Sequence, residues 1–211
     1  GLIEREGETG VFQNFDESHR RHSLSASRAQ SDPNNLVVIG RGAPLTLDGG
    51  FAKVPPDLVQ TPDERRGKTW TTGVGFHNCL VIDGEMGAGT PVQTCGRLLR
   101  FVDTPVLAFG EADVTSHYRD YGLTEVVRRT LQLGDGLFCV VDRVKAPEEH
   151  DVTWHVFLRP YVRCGAGSLV VDTPEAVRLT LMPLAGEMLP PVRVKGMPVV
   201  LENEADLVRI K

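Results

Sequence analysis

The chain has 211 residues, a hydrophobic fraction of 41%, a charged fraction of 24% and a net charge of −5. This length suits one large all-β domain, since such domains run to about 200–250 residues. The acidic balance excludes a global basic field for DNA, RNA or an anionic membrane, so an acidic polymer would have to be held by a local basic patch.

No stretch approaches the ~20 apolar residues of a membrane span. The chain opens GLIEREGETG, with neither an initiator Met nor a basic-then-apolar leader, so the natural protein is expected to be longer. Leu36–Ile39 is apolar and stops at Gly40-Arg41-Gly42; Pro44–Asp48 follows and ends at Gly49-Gly50, which predicts a hairpin. Residues 53–68, rich in Pro and charge, predict a long exposed loop. Cys79–Ile82 predicts a strand halted by Asp83-Gly84. Arg97–Val102 and Val106–Phe109 are the next predicted strands. Thr124–Leu133 carries helix-like charge, but β-branched residues cluster at its start. It meets Leu137–Asp142 across Gly134-Asp135-Gly136, which predicts a second hairpin.

Val152–Leu158 alternates, with Trp154, Val156 and Leu158 on one face and Thr153, His155 and Phe157 on the other. Ser168–Val171, Val177–Leu181, Val192–Gly196 and Pro198–Leu201 complete the series. Strands every 8–14 residues with turn residues between them, and no secure helix, predict an antiparallel β-sandwich. The four cysteines, Cys79, Cys95, Cys139 and Cys164, have no CxxC spacing and read as buried or half-buried thiols. One disulfide stays open if the protein is secreted.

The chemistry-bearing residues fall in a few places. His19 and His22 sit in DESHRRHS with Arg20 and Arg21. They are surface histidines, metal ligands, or part of a substrate-binding cluster in which the planar Arg fork clamps a carboxylate or sulfate. His77 lies in GVGFHNCLVIDG at the mouth of a strand, after glycines that let backbone approach a ligand, with Asn78 beside it; the plain alternative is a hydrogen-bonded structural histidine. Tyr118 and Tyr121, near His117, offer acid/base phenols or are ordinary turn tyrosines. His150 reads as solvent-facing and His155 as a strand-face residue. No G-x-S-x-G, P-loop, G-x-G-x-x-G or glycosidase carboxylate dyad is present.

Three segments in order resemble the C-terminal β-sandwich of the heparinase II/III-like polysaccharide lyases. SDPNNLVVIGRGAPLTLDGGF (31–51) is similar to the family's strand, Gly turn and L-x-x-D-x-G. FHNCLVIDG (76–84) is similar to its His-Asn-strand-Asp-Gly. ADVTSHYRDYGLTEVVRRTLQLGDGLFCVVDRV (112–144) is similar to its Ala-Asp…Tyr…Arg…Asp-Arg pattern, and EHDVTWHVFLRP fits the strand that follows. The resemblance covers about residues 30–160. It implies a supersandwich-like domain over 31–211, with 1–30 as the segment leading into it.

The implied chemistry is β-elimination on uronic-acid-containing polysaccharide. A base takes the C5 proton, a neutralised carboxylate stabilises the enolate-like intermediate, and an acid protonates the leaving oxygen. In the family an (α/α) toroid supplies much of the cleft; nothing helical of that size is here, so a toroid domain or chain is the expected partner, with an acidic polysaccharide as the other. A sandwich parted from its toroid is expected to expose an apolar face. The residues of this chain put forward for the chemistry are His77 and Tyr118 as catalytic candidates and Arg20, Arg21, Arg28 and Asn78 as substrate-binding ones, although in the family the toroid supplies the usual catalytic Tyr and His. It also implies a structural zinc ion held by Asp48, His77 and a His of an H-x-H-x-D segment. In that segment this chain has Gln30 where the ligand His is expected and Arg28 where the other His stands. One metal's ligands lie within a few ångströms of it, so Asp48 and His77 are expected to converge. The implied location is the periplasm or outside the cell. A non-catalytic carbohydrate-binding or structural module is the alternative; a cupin-like protein would need a His/Glu cluster that is not seen.

Overall fold

The computed structural model describes residues 2–3, 10–13, 33–48, 75, 77–84, 96–134, 136–160, 162–195 and 204–211. The first sheet takes β1 (Leu2–Ile3), β2 (Gly10–Gln13), β3 (Leu36–Gly40) and β4 (Ala43–Pro44) in chain order. The predicted hairpin forms between β3 and β4, turning through Arg41 and Gly42 at φ 48° and 80°, the left-handed pair that matches strand twist. The preceding Gly40 is closely packed: a Cβ there would lie 2.8 Å from Leu45 Cδ1, so a larger residue would have to displace that side chain.

The predicted second arm, 44–48, is not one strand. After Leu45 the chain leaves the hairpin, and β5 (Thr46–Leu47) joins another sheet. The departure leaves no hole, because Thr46 Oγ1 accepts the Val38 amide at 2.8 Å and the Leu45 amide donates to Val38 O.

β6 (Leu80–Ile82) ends, as expected, at a left-handed Asp83-Gly84 turn. β7 (Arg97–Asp103), β8 (Leu107–Asp113), β9 (Glu125–Leu133) and β10 (Leu137–Lys145) form an antiparallel meander, with a 3-10 helix at Thr115–Tyr121. In β9 the β-branched residues prevail over the helix-like charge: it pairs with β10 from Leu133↔Leu137 onwards, the hairpin predicted at 134–136.

β11 (Val152–Leu158) is the centre of the next sheet. β12 (Arg163–Gly165), β13 (Ser168–Asp172) and β14 (Arg178–Leu181) form a three-stranded sheet, followed by β15 (Met188–Lys195) and β16 (Glu204–Ile210). The order around β11 is β15-β16-β11-β5, with β6 also on β11. The strand expected at 198–201 lies outside the described residues, and β16 was not anticipated. The 53–68 loop is likewise outside them.

Among the described residues the layers close over three apolar clusters. Val156, Leu158 and Val208 pack on Leu169 and Val171 of β13. Leu80 and Ile82 pack on Val114, Tyr118, Leu123 and Val126. Leu36, Val38 and Leu45 pack against Phe138, Val140, Trp154 and Leu179. The architecture is the expected all-β sandwich of antiparallel sheets. Polarity alternation along β11 does not track burial, since His155 and Phe157 are nearly as buried as Val156 and Leu158, so this part of the strand is covered on both faces. On the outer side of the meander Val102, Leu133, Leu137 and Val141 are exposed. Cys79 is buried and Cys139 half-buried, but Cys164 is exposed, contrary to expectation, because it sits on a three-residue strand beside a turn. Cys95 lies outside the described residues. Among the described residues no helix is long and apolar enough to cross a membrane.

Candidate functional site: the Asp48–His77 junction

β5 and β6 both pair with β11, β5 through Leu158 and Phe157 and β6 through Trp154 to Val152. On this edge of β11 the β5 and β6 ladders leave a gap at 155–156, and Asn78 bridges it. Its Nδ2 donates to Leu36 O at 2.7 Å and Leu47 O at 2.9 Å, and its Oδ1 accepts the Phe157 amide at 2.7 Å. Its own amide donates to Asn35 Oδ1 at 3.0 Å. The expectation that Asn78 binds substrate therefore does not fit its surroundings: the residue is 0% exposed, and its side-chain amide is spent joining three strands.

The same junction brings Asp48 to His77. His77 Nδ1 lies 3.1 Å from Asp48 Oδ2 and 3.2 Å from Oδ1, the convergence expected from the sequence. An ionised carboxylate only accepts, so Nδ1 carries the proton and the ring orientation is set. The His77 side chain is 0% exposed and that of Asp48 23%, so the pair meets solvent through Asp48. Asn35 Nδ2 also donates to Asp48 Oδ2. Asn35 was not singled out in the sequence; its place in PNN, just before β3, was the available signal.

Arg128 anchors this junction from below. Its Nη1 donates to Asn34 O at 2.6 Å and Asn78 O at 3.1 Å, its Nε and Nη2 pair with Asp142, and its guanidinium lies 5.2 Å from the Trp154 ring centroid. Burial works against the charge, yet the Asp142 carboxylate outweighs it and holds Arg128 protonated beyond the usual arginine range. The Arg and Asp of the 112–144 pattern are thus structural ties between the meander and the 34–35 and 77–78 segments.

Tyr118 is apart from this junction in chemistry. Its phenol donates to Leu80 O at 3.1 Å inside an apolar cluster, and burial, the larger cause, raises its pKa well above the ordinary tyrosine value. A phenol so placed packs and bonds; proton exchange with a ligand would require it to leave the core. His150, expected to face solvent, bonds through Nδ1 to Asp83 Oδ2 at 2.8 Å on the β6 turn. His155 is 4% exposed, with Nδ1 3.0 Å from Gly75 O. Burial first, then nearby Arg209, lower its pKa against the raising effect of the Gly75 hydrogen bond. His19, Arg20, Arg21, His22, Arg28 and Gln30 lie outside the described residues.

The zinc ion implied by the resemblance needs three or four strong donors. Asp48 and His77 supply two, and among the described residues no group of three or more His, Cys, Asp or Glu side chains could hold a metal. The described donors fall short of a zinc site.

Layered sheets, apolar clusters and a buried polar tie define an all-β sandwich module. It has parallels among solved structures. Heparan sulfate lyase HepC from Pedobacter heparinus is 16% identical over 95% of this chain and 30% of that chain, with a TM-score of 0.66. A heparinase III is 15% identical over 96% and 31%, with a TM-score of 0.67. A further heparinase III gene product is 12% identical over 99% and 33%, with a TM-score of 0.66. At these identities the likeness is one of fold, and at that level the resemblance read from the motifs holds. The chain spans about a third of the length of these structures. No family model and no curated protein matches it.

Proposed function

We propose that this chain is the β-sandwich part, residues 31–211 with 1–30 leading in, of a polysaccharide lyase that cleaves uronic-acid-containing chains by β-elimination. An (α/α) toroid, in the same polypeptide or a separate one, completes the cleft. The observation that carries the reading is a fold shared almost end to end with part of heparinase structures; the Asp48–His77 pair, enclosed and bonded within the chain at 3.1 Å, suits a non-catalytic module equally and does not carry it. Three motifs scattered in sequence supply one connected junction. In this reading His77 and Asp48 position the 75–79 segment, Arg20, Arg21 and Arg28 meet substrate carboxylates, and the enzyme works in the periplasm or outside the cell. Tyr118, held in the core, takes no part.

The test is absorbance near 235 nm, where the unsaturated product of β-elimination absorbs, on a panel of uronate polysaccharides. The chain alone is expected to be inactive and the toroid-bearing protein active. No rise from either protein would overturn the reading in favour of a non-catalytic module.

A further inference from the structure

Two polar side chains on the central sheet, His155 and Arg209, stand outside the Asp48–His77–Asn78–Arg128 junction. Antiparallel pairing sets His155 on β11 opposite Arg209 on β16, and residues so paired leave the same face with Cβ atoms about 4.5–5.5 Å apart. The His155 ring is fixed by Gly75 O. A carbonyl only accepts, so Nδ1 carries the proton, and Nε2 of the neutral ring presents a lone pair. Among the described residues His155 has no second side-chain hydrogen bond, and Nε2 is not one of the enclosed, unpartnered atoms.

Arg209 is half-buried, and its Nε is enclosed without an acceptor. Among the described residues it has no carboxylate partner, whereas Arg128, Arg129, Arg159, Arg163, Arg178 and Arg193 each meet one. A planar guanidinium with unspent donors is a fork for a carboxylate. The neighbouring lone pair needs a donor and disfavours a second anionic oxygen. The matching ligand brings one carboxylate and one hydroxyl close together, as a single hexuronate ring does; a sulfate ion brings no hydroxyl donor.

We propose that His155 and Arg209 form a binding subsite for one uronate sugar, Arg209 pairing with its carboxylate and His155 Nε2 accepting a ring hydroxyl. The proposal rests on the uronate reading above and adds a place for the sugar. Gly75, which orients His155, is two residues from His77, so the subsite and the Asp48–His77 junction share one short segment.

The experiment follows the His155 imidazole signals by NMR in the 211-residue chain during titration with methyl β-glucuronoside, methyl β-glucoside and inorganic sulfate. Saturable movement with the glucuronoside is expected, at least about tenfold weaker with the glucoside, and without the same response to sulfate. Arg209→Gln, checked for an unchanged backbone spectrum, should weaken glucuronoside binding about tenfold or more, the range for a charge-assisted hydrogen bond, with Arg209→Lys in between. Still His155 signals, or equal response to the neutral glucoside, would overturn the subsite, and that comparison needs no variant. Lyase activity of the toroid-bearing protein without His155 movement would sink the subsite and spare the lyase reading; movement without lyase activity would do the reverse.

Discussion

Arg128 and Asp142 lie opposite each other on β9 and β10 and are joined by two parallel hydrogen bonds of 2.7 Å, Nε to Oδ1 and Nη2 to Oδ2. The Arg128 side chain is 1% exposed and that of Asp142 16%. A pair this enclosed is weak evidence for net stabilisation but is costly to break from one side. Asp142→Leu strands the guanidinium and is expected to cost about 3–5 kcal/mol. Arg128→Met leaves Asp142 open to water but deprives Asn34 O and Asn78 O of their Nη1 donor, so it too should be destabilising, by about 1–3 kcal/mol. The double variant should be more stable than Asp142→Leu alone, a non-additivity that a double-mutant cycle of urea midpoints reads directly.

Asn78 offers a second stability test. Asn78→Ala leaves Leu36 O, Leu47 O and the Phe157 amide without the partner that joins β3, β5 and β11. An enclosed polar group left unpaired costs about 1–3 kcal/mol, so a loss of about 3 kcal/mol or more is expected. Asn78→Asp should do no better, since it replaces the two donors that face carbonyls with an acceptor. Denaturant unfolding checks both; a change under about 0.5 kcal/mol, the range of ordinary surface substitutions, would mean that the amide does not carry the junction.

His155 gives the fold a pH dependence of definite sign. Its folded pKa is lowered from 6.5, by burial first and Arg209 as well. The unfolded chain therefore binds the proton more readily, and stability is gained as pH rises through the window between the lowered folded value and about 6.5. Below about 6.5 this part of the stability declines as pH falls, until the folded histidine also protonates. NMR titration should place the His155 midpoint under 6.5, and His155→Gln should flatten the unfolding free energy across that window.

Metal removal should do little. With two described donors at the Asp48–His77 junction against the three or four of a zinc site, a chelator is expected to leave the melting temperature within about 1 °C, since a shift of several degrees corresponds to about 1 kcal/mol in a protein of this size. A larger fall on chelation, restored by zinc, would mean that residues outside those described complete a site.

Local chemistry explains which parts of the architecture were legible. Strands betrayed by β-branched runs, and turns betrayed by Gly40-Arg41-Gly42, Asp83-Gly84 and Gly134-Asp135-Gly136, formed where expected, because backbone preference acts over a few residues. The split of 44–48 between two sheets was not legible: Pro44 to Asp48 looks continuous in sequence, and only the competing edges of β3 and β11 divide it. Asp48 and His77 were paired beforehand through motif resemblance, not through periodicity. Asn78 was misjudged because an amide beside a histidine looks the same whether it faces a ligand or three strand ends.

Strand periodicity, turn residues and motif order were enough to specify an all-β chain, its principal turns and a likeness to a heparinase-type sandwich. Tertiary structure alone decided that Arg128 would be charged and enclosed, that Tyr118 would be sealed in the core, and that His155 would stand beside Arg209. The physical reason is that pairing across a sheet joins residues far apart in the chain. A side chain's burial, protonation and free hydrogen-bonding positions depend on those distant partners, and local sequence patterns carry no information about them.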